Sequence, residues 1–282
     1  EIGEGSWIGS NVTIMEGARI GKNCRIFPGA IISAIPQDLK FEGEDSLTVI
    51  GDNTTIRECV TINRGTNDRG KTVVGDNCLI MAAAHIAHDC IVGNNAIIVT
   101  PDADIKMTVI GAVFGAVGTC GQRCTSTRRL IIHESIYDQV KEALASAYKQ
   151  LRIGNPLDQN NHVGPLIDKD AVAMYEAALE KVVTEGGSLL VPGGTLDGPG
   201  YESGCYVKPA IAEAENHYEI VQHETFAPIL YLMKYSGSVE NAIAQKNGVA
   251  HGLSSAIMTI NLREAELFLS HAGSDCGIAN VN

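Results

Sequence analysis

EIGEGSWIGSNVTIMEGARIGKNCRIFPGAII, residues 1–32, places an aliphatic side chain at every sixth position: Ile2, Ile8, Ile14, Ile20, Ile26 and Ile32. The same phase returns at Ile50, Ile56 and Ile62, and again at Val74, Ile80, Ile86 and Val92. Two places earlier sits a small residue: Ser6, Val12, Ala18, Cys24 and Ala30, then Thr54, Val60, Cys78, Ala84 and Cys90. Glycine often follows the aliphatic position, as at Gly3, Gly9, Gly21, Gly51, Gly75 and Gly93. A strand-and-corner unit of six residues turns the chain by one third, so three units close a triangular coil. The aliphatic residue then points inward and stacks on its copies above and below. The small residue fits beside the corner, and glycine permits the corner itself. Accidental spacing in an ordinary β-meander does not produce thirteen in-phase aliphatic positions with a second small position in register. The period predicts a parallel coil over residues 1–93.

Two polar stretches, 34–48 and 64–72, interrupt the repeat, and loops on a rigid scaffold are where function concentrates. IPQDLKFEGE (35–44), IRECVTINRGT (56–66) and AHIAHDC (84–90) resemble the UDP-N-acetylglucosamine O-acyltransferases of lipid A assembly. That resemblance implies a left-handed parallel β-helix, a homotrimer with sites between subunits, and transfer of an acyl group from acyl carrier protein to a sugar hydroxyl. It assigns His88 as general base, since a neutral imidazole can take a hydroxyl proton at the moment of attack. Asp89 would orient that imidazole, and His85, Asp38 and Lys40 would contact the UDP-sugar or the acyl donor. The family's first coils, its later coils with a further histidine, and its helical tail have no counterpart in the sequence, so this acyl-transfer site is expected to be incomplete.

After Asn95 the six-residue phase fails, and strand-like runs alternate with helical periodicity, which predicts an α/β parallel sheet over 94–282. Strands are expected at Ala96–Val99, Arg129–His133, Pro228–Tyr235, Leu253–Thr259 and Gly277–Val281. A helix lead-in and helix are expected over Pro101–Val117, with Asp102 and Asp104 near its start, and further helices at Tyr137–Leu151, Asp168–Glu185, Val239–Lys246 and Leu262–His271. The chemical focus is GTCGQRCT (118–125). Cys124 follows a glycine-rich turn with Arg123 beside it, and a neighbouring cation together with free backbone N–H groups favours the nucleophilic thiolate. Cys120 reads as a small buried residue.

GTCGQRCT, with NNAIIV (94–99), RRL (128–130), GNP (154–156), GPL (164–166), ETFAP (224–228) and the closing GSDCGIANVN (273–282), resembles the aldehyde dehydrogenase superfamily, nearest its antiquitin (α-aminoadipic semialdehyde dehydrogenase) branch. The resemblance implies a three-layer α/β fold in which Cys124 attacks a small-molecule aldehyde and NAD accepts hydride. Glu224 would hold the nicotinamide ribose with Phe226 as a second cofactor contact, and Arg123 would meet the distal carboxylate of a semialdehyde. The family's NAD-binding domain and the asparagine of its oxyanion hole have no counterpart. Where the family reads Glu-Leu-Gly-Gly-Asn-Asn, this sequence reads CIVGNN (90–95), with Cys90 in place of the general base. Deacylation is therefore expected to slow by about 10²–10⁴-fold. The chain also stops at Asn282, before the family's aldehyde-anchoring loop.

The expectation is thus a mixed fold: a left-handed β-helix fragment (1–93) followed by an aldehyde dehydrogenase-like α/β fragment (94–282), neither with a complete site. Both families can write Gly93-Asn94-Asn95, and no linker separates the parts, which points to a recombined, misassembled or composed sequence: a chimera whose coils are a non-catalytic scaffold, or an assembly artefact. A net charge of -12 argues against nucleic acid or anionic lipid as partner. No apolar run is long enough to span a bilayer. The chain opens inside a repeat with no signal peptide, so an N-terminal segment is expected to be missing. Eight scattered cysteines without a C-x-x-C pair argue against a zinc knuckle or other metal site and read as cytoplasmic.

Overall fold

The computed structural model describes residues 1–38, 41–67, 69–76, 78–86, 95–249 and 252–282. The chain divides into two compact units, Glu1–Val92 and Gly93–Asn282.

The first unit is built from β1 (Trp7–Ile8), β2 (Thr13–Ile14), β3 (Ala18–Ile20), β4 (Arg25–Ile26), β5 (Ile31–Ala34), β6 (Leu47–Ile50), β7 (Thr55–Ile56), β8 (Thr61–Asn63), β9 (Lys71–Val74), β10 (Leu79–Ile80) and β11 (His85–Ile86). Each strand pairs in parallel with the strand three places on, giving three sheets: β1-β4-β7-β10, β2-β5-β8-β11 and β3-β6-β9. The six-residue phase thereby becomes three ladders: Ile8↔Ile26↔Ile56↔Ile80, Ile14↔Ile32↔Ile62↔Ile86 and Ile20↔Ile50↔Val74. Their middle rungs, Ile26, Ile32, Ile56 and Ile62, are fully buried, while Ile2 is half exposed. Glycine at the corners has a steric cause: a Cβ on Gly51 would lie 2.5 Å from the backbone nitrogen of Asp76, and one on Gly3 2.4 Å from the carbonyl carbon of Gly21. A further six-residue phase fixes the corners. Gly5, Asn11, Gly17, Asn23, Gly29, Asn53, Cys59 and Ala83 all adopt left-handed φ, a region that glycine and asparagine tolerate best. The polar excursions leave the coil where expected, and Asn63 Nδ2 anchors the first by donating to the Ile35 carbonyl at 2.6 Å.

The second unit is a seven-stranded sheet flanked by helices. Its elements are β12 (Asn95–Val99), α1 (Ile105–Val117), β13 (Thr127–His133), α2 (Tyr137–Tyr148), α3 (Lys169–Thr184), β14 (Ser188–Val191), β15 (Ala210–Glu213), α4 (Glu219–Gln222), β16 (Ile229–Tyr235), α5 (Val239–Asn247), β17 (Ser254–Met258), α6 (Leu262–Leu269) and β18 (Ile278–Val281). The strand order is β14-β15-β16-β13-β12-β17-β18. Every pairing is parallel except β14 against β15, so the expected parallel sheet carries one antiparallel edge. The core lies on the central strands, where Ile98, Leu130, Ile131 and Leu230 are fully buried. Helix starts follow from caps: the Asp104 side chain accepts from Met107 N at 2.9 Å, which places the start of α1 four residues after Pro101, and Asp168 accepts from Ala171 N at 2.8 Å to start α3.

Candidate active site

α1 runs into a turn, Gly118–Gly121, where Thr119 (φ 56°), Cys120 (φ 55°) and Gly121 (φ 66°) are all left-handed. Two of the three carry side chains, so the turn is strained and needs outside support. Gln122 provides some: its Nε2 donates to the carbonyls of Thr119 and Pro165, both at 3.2 Å, and its Oε1 accepts from Ile167 N at 2.8 Å. Beyond it, Ser126 closes a small loop around Cys124, accepting from Arg123 N at 3.1 Å while its own N–H donates to the Arg123 carbonyl at 2.9 Å. The turn sorts its two thiols. Cys120 is buried, and burial pushes its pKa up to about 12, so it stays protonated at neutral pH. Cys124 is exposed.

Arg123 lies back over the end of α1, its Nη2 3.3 Å from the Phe114 carbonyl and its guanidinium 5.1 Å from the Phe114 ring centroid. Gly118 makes room for it, since a Cβ there would coincide with the guanidinium. A cation at a helix C-terminus is well placed against the helix dipole.

The loop holding Glu224 and Phe226 abuts this turn. A Cβ on Gly121 would meet the Ala227 carbonyl carbon at 2.6 Å, so the two backbones are in direct contact. Arg128 ties them together: Nη1 donates to the Ala227 carbonyl and Nη2 to the Gly121 carbonyl, both at 2.6 Å. Arg128 is only 2% exposed. Burial lowers its pKa to about 10, against the opposing charges of Glu224 and Tyr231. Glu224 is exposed as a residue, yet crowding around its carboxyl pushes its pKa above the usual carboxylate value, an effect the Arg128 guanidinium opposes. Phe226 is partly exposed, with that guanidinium 5.5 Å from its ring centroid. The turn of Arg123 and Cys124 and the loop of Glu224 and Phe226 thus meet around one buried arginine. In the sequence Arg128 stands out only within the RRL motif, and nothing marks Gln122. Two consecutive arginines opening the buried strand RRLII were a usable signal, because a guanidinium cannot be buried without carbonyl or carboxylate partners.

In the first unit, the His85 Nδ1 and Thr61 Oγ1 are 2.7 Å apart across the β8–β11 ladder. The Asp38 carbonyl accepts from Phe41 N at 3.1 Å. Lys40, His88, Asp89 and Cys90 lie outside the described residues, as do Gly93 and Asn94 of the join. Among the described residues no helix is long and apolar enough to cross a membrane, and no cluster of three or more His, Cys, Asp or Glu could hold a metal ion.

Comparison with known proteins gives two family matches. The bacterial transferase hexapeptide (six repeats) profile matches residues 1–34. The aldehyde dehydrogenase family profile matches residues 69–282, starting within the first unit. Bos taurus α-aminoadipic semialdehyde dehydrogenase is 45% identical over 216 residues, covering 76% of this chain and 39% of the bovine protein. The Mus musculus protein of the same name is 39% identical over 281 residues, covering 98% of this chain and 51% of the murine protein. A betaine aldehyde dehydrogenase from Staphylococcus aureus, solved in complex with NAD+, superposes with a TM-score of 0.65 at 20% identity, covering 84% of this chain and 43% of its own, a likeness of fold. The chain therefore spans about half or less of the length of these relatives. Through residues 69–282, the chain belongs to the aldehyde dehydrogenase family.

Proposed function

We propose that the second unit performs thiol chemistry on an aldehyde, of the kind its α-aminoadipic semialdehyde dehydrogenase relatives are named for. The observation that carries this reading is the sorting of two neighbouring thiols: Cys120, inside the strained turn that abuts the Glu224 loop, is buried and protonated, while Cys124, just after that turn, is exposed. The Cys124 sulfur adds to the aldehyde carbon, forming a C–S bond and moving the carbonyl π electrons onto oxygen. The backbone of the turn holds the sulfur in place. Glu224 and Phe226 fit the nicotinamide ribose end of NAD, a carboxyl to accept from the ribose hydroxyls and an accessible ring beside it. When bound, NAD would supply a hydride acceptor for oxidation at the aldehyde carbon. Arg123 takes the distal carboxylate of a semialdehyde by exchanging its contact with the Phe114 carbonyl for the stronger charged one. Water then releases the acid, and with Cys90 in place of the general base this last step is slow.

An activated ester tests the thiol without a cofactor. With p-nitrophenyl acetate the chain should release about one equivalent of nitrophenol in a burst, with the acetyl group on the Cys124 peptide and slow turnover thereafter. Acetylation spread evenly over all the cysteines contradicts the reading.

The hexapeptide match and the three parallel sheets favour a second reading, for the first unit. We infer a left-handed β-helix of the UDP-N-acetylglucosamine O-acyltransferase type, joined to the dehydrogenase part near Gly93 as a chimera. His88 would be its general base with Asp89 orienting the imidazole, and His85, held by Thr61, would bind substrate with Asp38 and Lys40. A cytoplasmic homotrimer that binds UDP-N-acetylglucosamine is the expected result. A monomer in light scattering that ignores the nucleotide sugar rules it out. The tryptic peptide Thr72–Lys106, which spans the join, should be present in source material if the fused chain is a real polypeptide.

A further inference from the structure

We propose that Arg128 is a positioning residue that locks the turn carrying Cys124 to the loop carrying Glu224, so that thiol and carboxyl move as one body. The inference deepens the thiol reading above and rests on it for its meaning, though not for its test.

The geometry is specific. One guanidinium donates to two carbonyls from segments 106 residues apart in sequence, Gly121 and Ala227, each at 2.6 Å. Those carbonyls belong to the two backbones that meet where Gly121 lacks a Cβ. Arginine is the residue that can do this, because its planar fork presents separate N–H groups in fixed directions, whereas an ammonium is a single point. Arg128 is also the second residue of β13, the strand between β12 and β16, so the clamp is anchored in the centre of the sheet. The turn it holds contains three left-handed residues in succession, and strained backbone of this kind persists only when its surroundings over-determine it. The same guanidinium carries the positive charge that acts on Glu224. Arg128 therefore has two separable effects, a mechanical one on both segments and an electrostatic one on Glu224.

Two variants of the full chain separate them. Arg128→Met removes both effects; Arg128→Lys keeps the charge and reaches one carbonyl at a time. In Arg128→Met, amide hydrogen exchange should accelerate at least about tenfold in both 118–126 and 224–228, with β17 (Ser254–Met258) unchanged as internal reference. The Glu224 carboxyl, followed by its ¹³C shift against pH, should titrate higher in Arg128→Met and where wild type does in Arg128→Lys. A purely structural role would not produce that split. Acceleration in only one segment, equal acceleration in β17, or a Glu224 titration indifferent to the charge overturns the proposal. If Arg128→Met does not fold, Arg128→Lys must still loosen at least one of the two segments by about tenfold, and no loosening overturns it equally. None of these readouts needs Cys124 to react. A chain whose Cys124 fails the ester test but whose segments loosen together refutes the thiol reading and leaves the clamp standing.

Discussion

The two units bury their cores in different ways. In the first, each rung rests on the rungs above and below, and paired strands lie 18 to 30 residues apart, as in Ile8↔Ile26 and Ile26↔Ile56. In the second, neighbours in the sheet come from distant parts of the chain: the Thr100 hydroxyl at the end of β12 donates to the Met258 carbonyl, 158 residues away. A stack of near-identical rungs has stability close to a sum of nearest-neighbour terms, so damage stays local. A sheet whose order shuffles the chain gains little until most of it has formed, so damage is shared. The lesson concerns where a site can be placed. Cys124, Glu224 and Arg128 are brought together only by the complete second sheet, whereas Thr61 and His85 need only two adjacent coils.

The largest effect is expected where a side chain has no room at all. Gly51→Val places a Cβ 2.5 Å from the Asp76 nitrogen, so two coils must part, at a cost of about 4 kcal/mol or more. Hydrogen exchange should show protection lost in β6, β7, β9 and β10 and kept in the second unit. Loss throughout both units breaks the contrast. Next comes Leu130→Ala, at a fully buried position in β13, expected to cost about 2–5 kcal/mol. Here exchange should rise together in β12, β13, β16 and β17, and a rise confined to β13 would contradict a shared core. The smallest effect concerns Glu213, at the end of β15. Burial pushes its pKa up, but hydrogen bonds from Lys141 (2.7 Å) and Tyr137 (2.9 Å) outweigh that and hold it below the usual carboxylate value. A depressed folded pKa stabilises above the unfolded carboxylate value of about 4.3, and the gain is lost as pH falls through the folded pKa. Lys141→Met should therefore lower Tm at pH 7 by an amount equivalent to under about 1 kcal/mol, and the difference should shrink at pH 3. A difference that grows on acidification reverses the sign.

The same contrast explains what could be read from the sequence. The coil was legible because one inward residue type repeats at a fixed interval, and the structure puts Ile26, Ile32, Ile56 and Ile62 where the period predicts. Its left-handed corners, at Gly5, Asn11, Gly17, Asn23 and Gly29, were equally periodic and went unused. In the second unit, the strands with long aliphatic runs, such as ILYLM in β16 and RRLII in β13, were legible, whereas β14 and β15 were missed. They are four residues each, and Ala-Ile-Ala-Glu has too little bulk to stand out from its flanks. Cys124 could be singled out by its glycine-rich turn. The paired arginines in the buried strand signal that a guanidinium needs partners, but not which ones, because one partner of Arg128 lies about a hundred residues away and accepts through backbone carbonyl oxygen, which sequence does not mark.

The most direct test of the account compares one thiol from each unit. Cys59 and Cys124 are both exposed, so access alone does not separate them. Cys59 sits at a coil corner, and Cys124 follows the strained turn beside Arg123. Limiting iodoacetamide at pH 7, with the labelled peptides counted by mass spectrometry, should modify Cys124 at least about tenfold faster than Cys59. Equal rates at the two cysteines would mean that the turn confers no special reactivity, and the thiol reading of the second unit would fall.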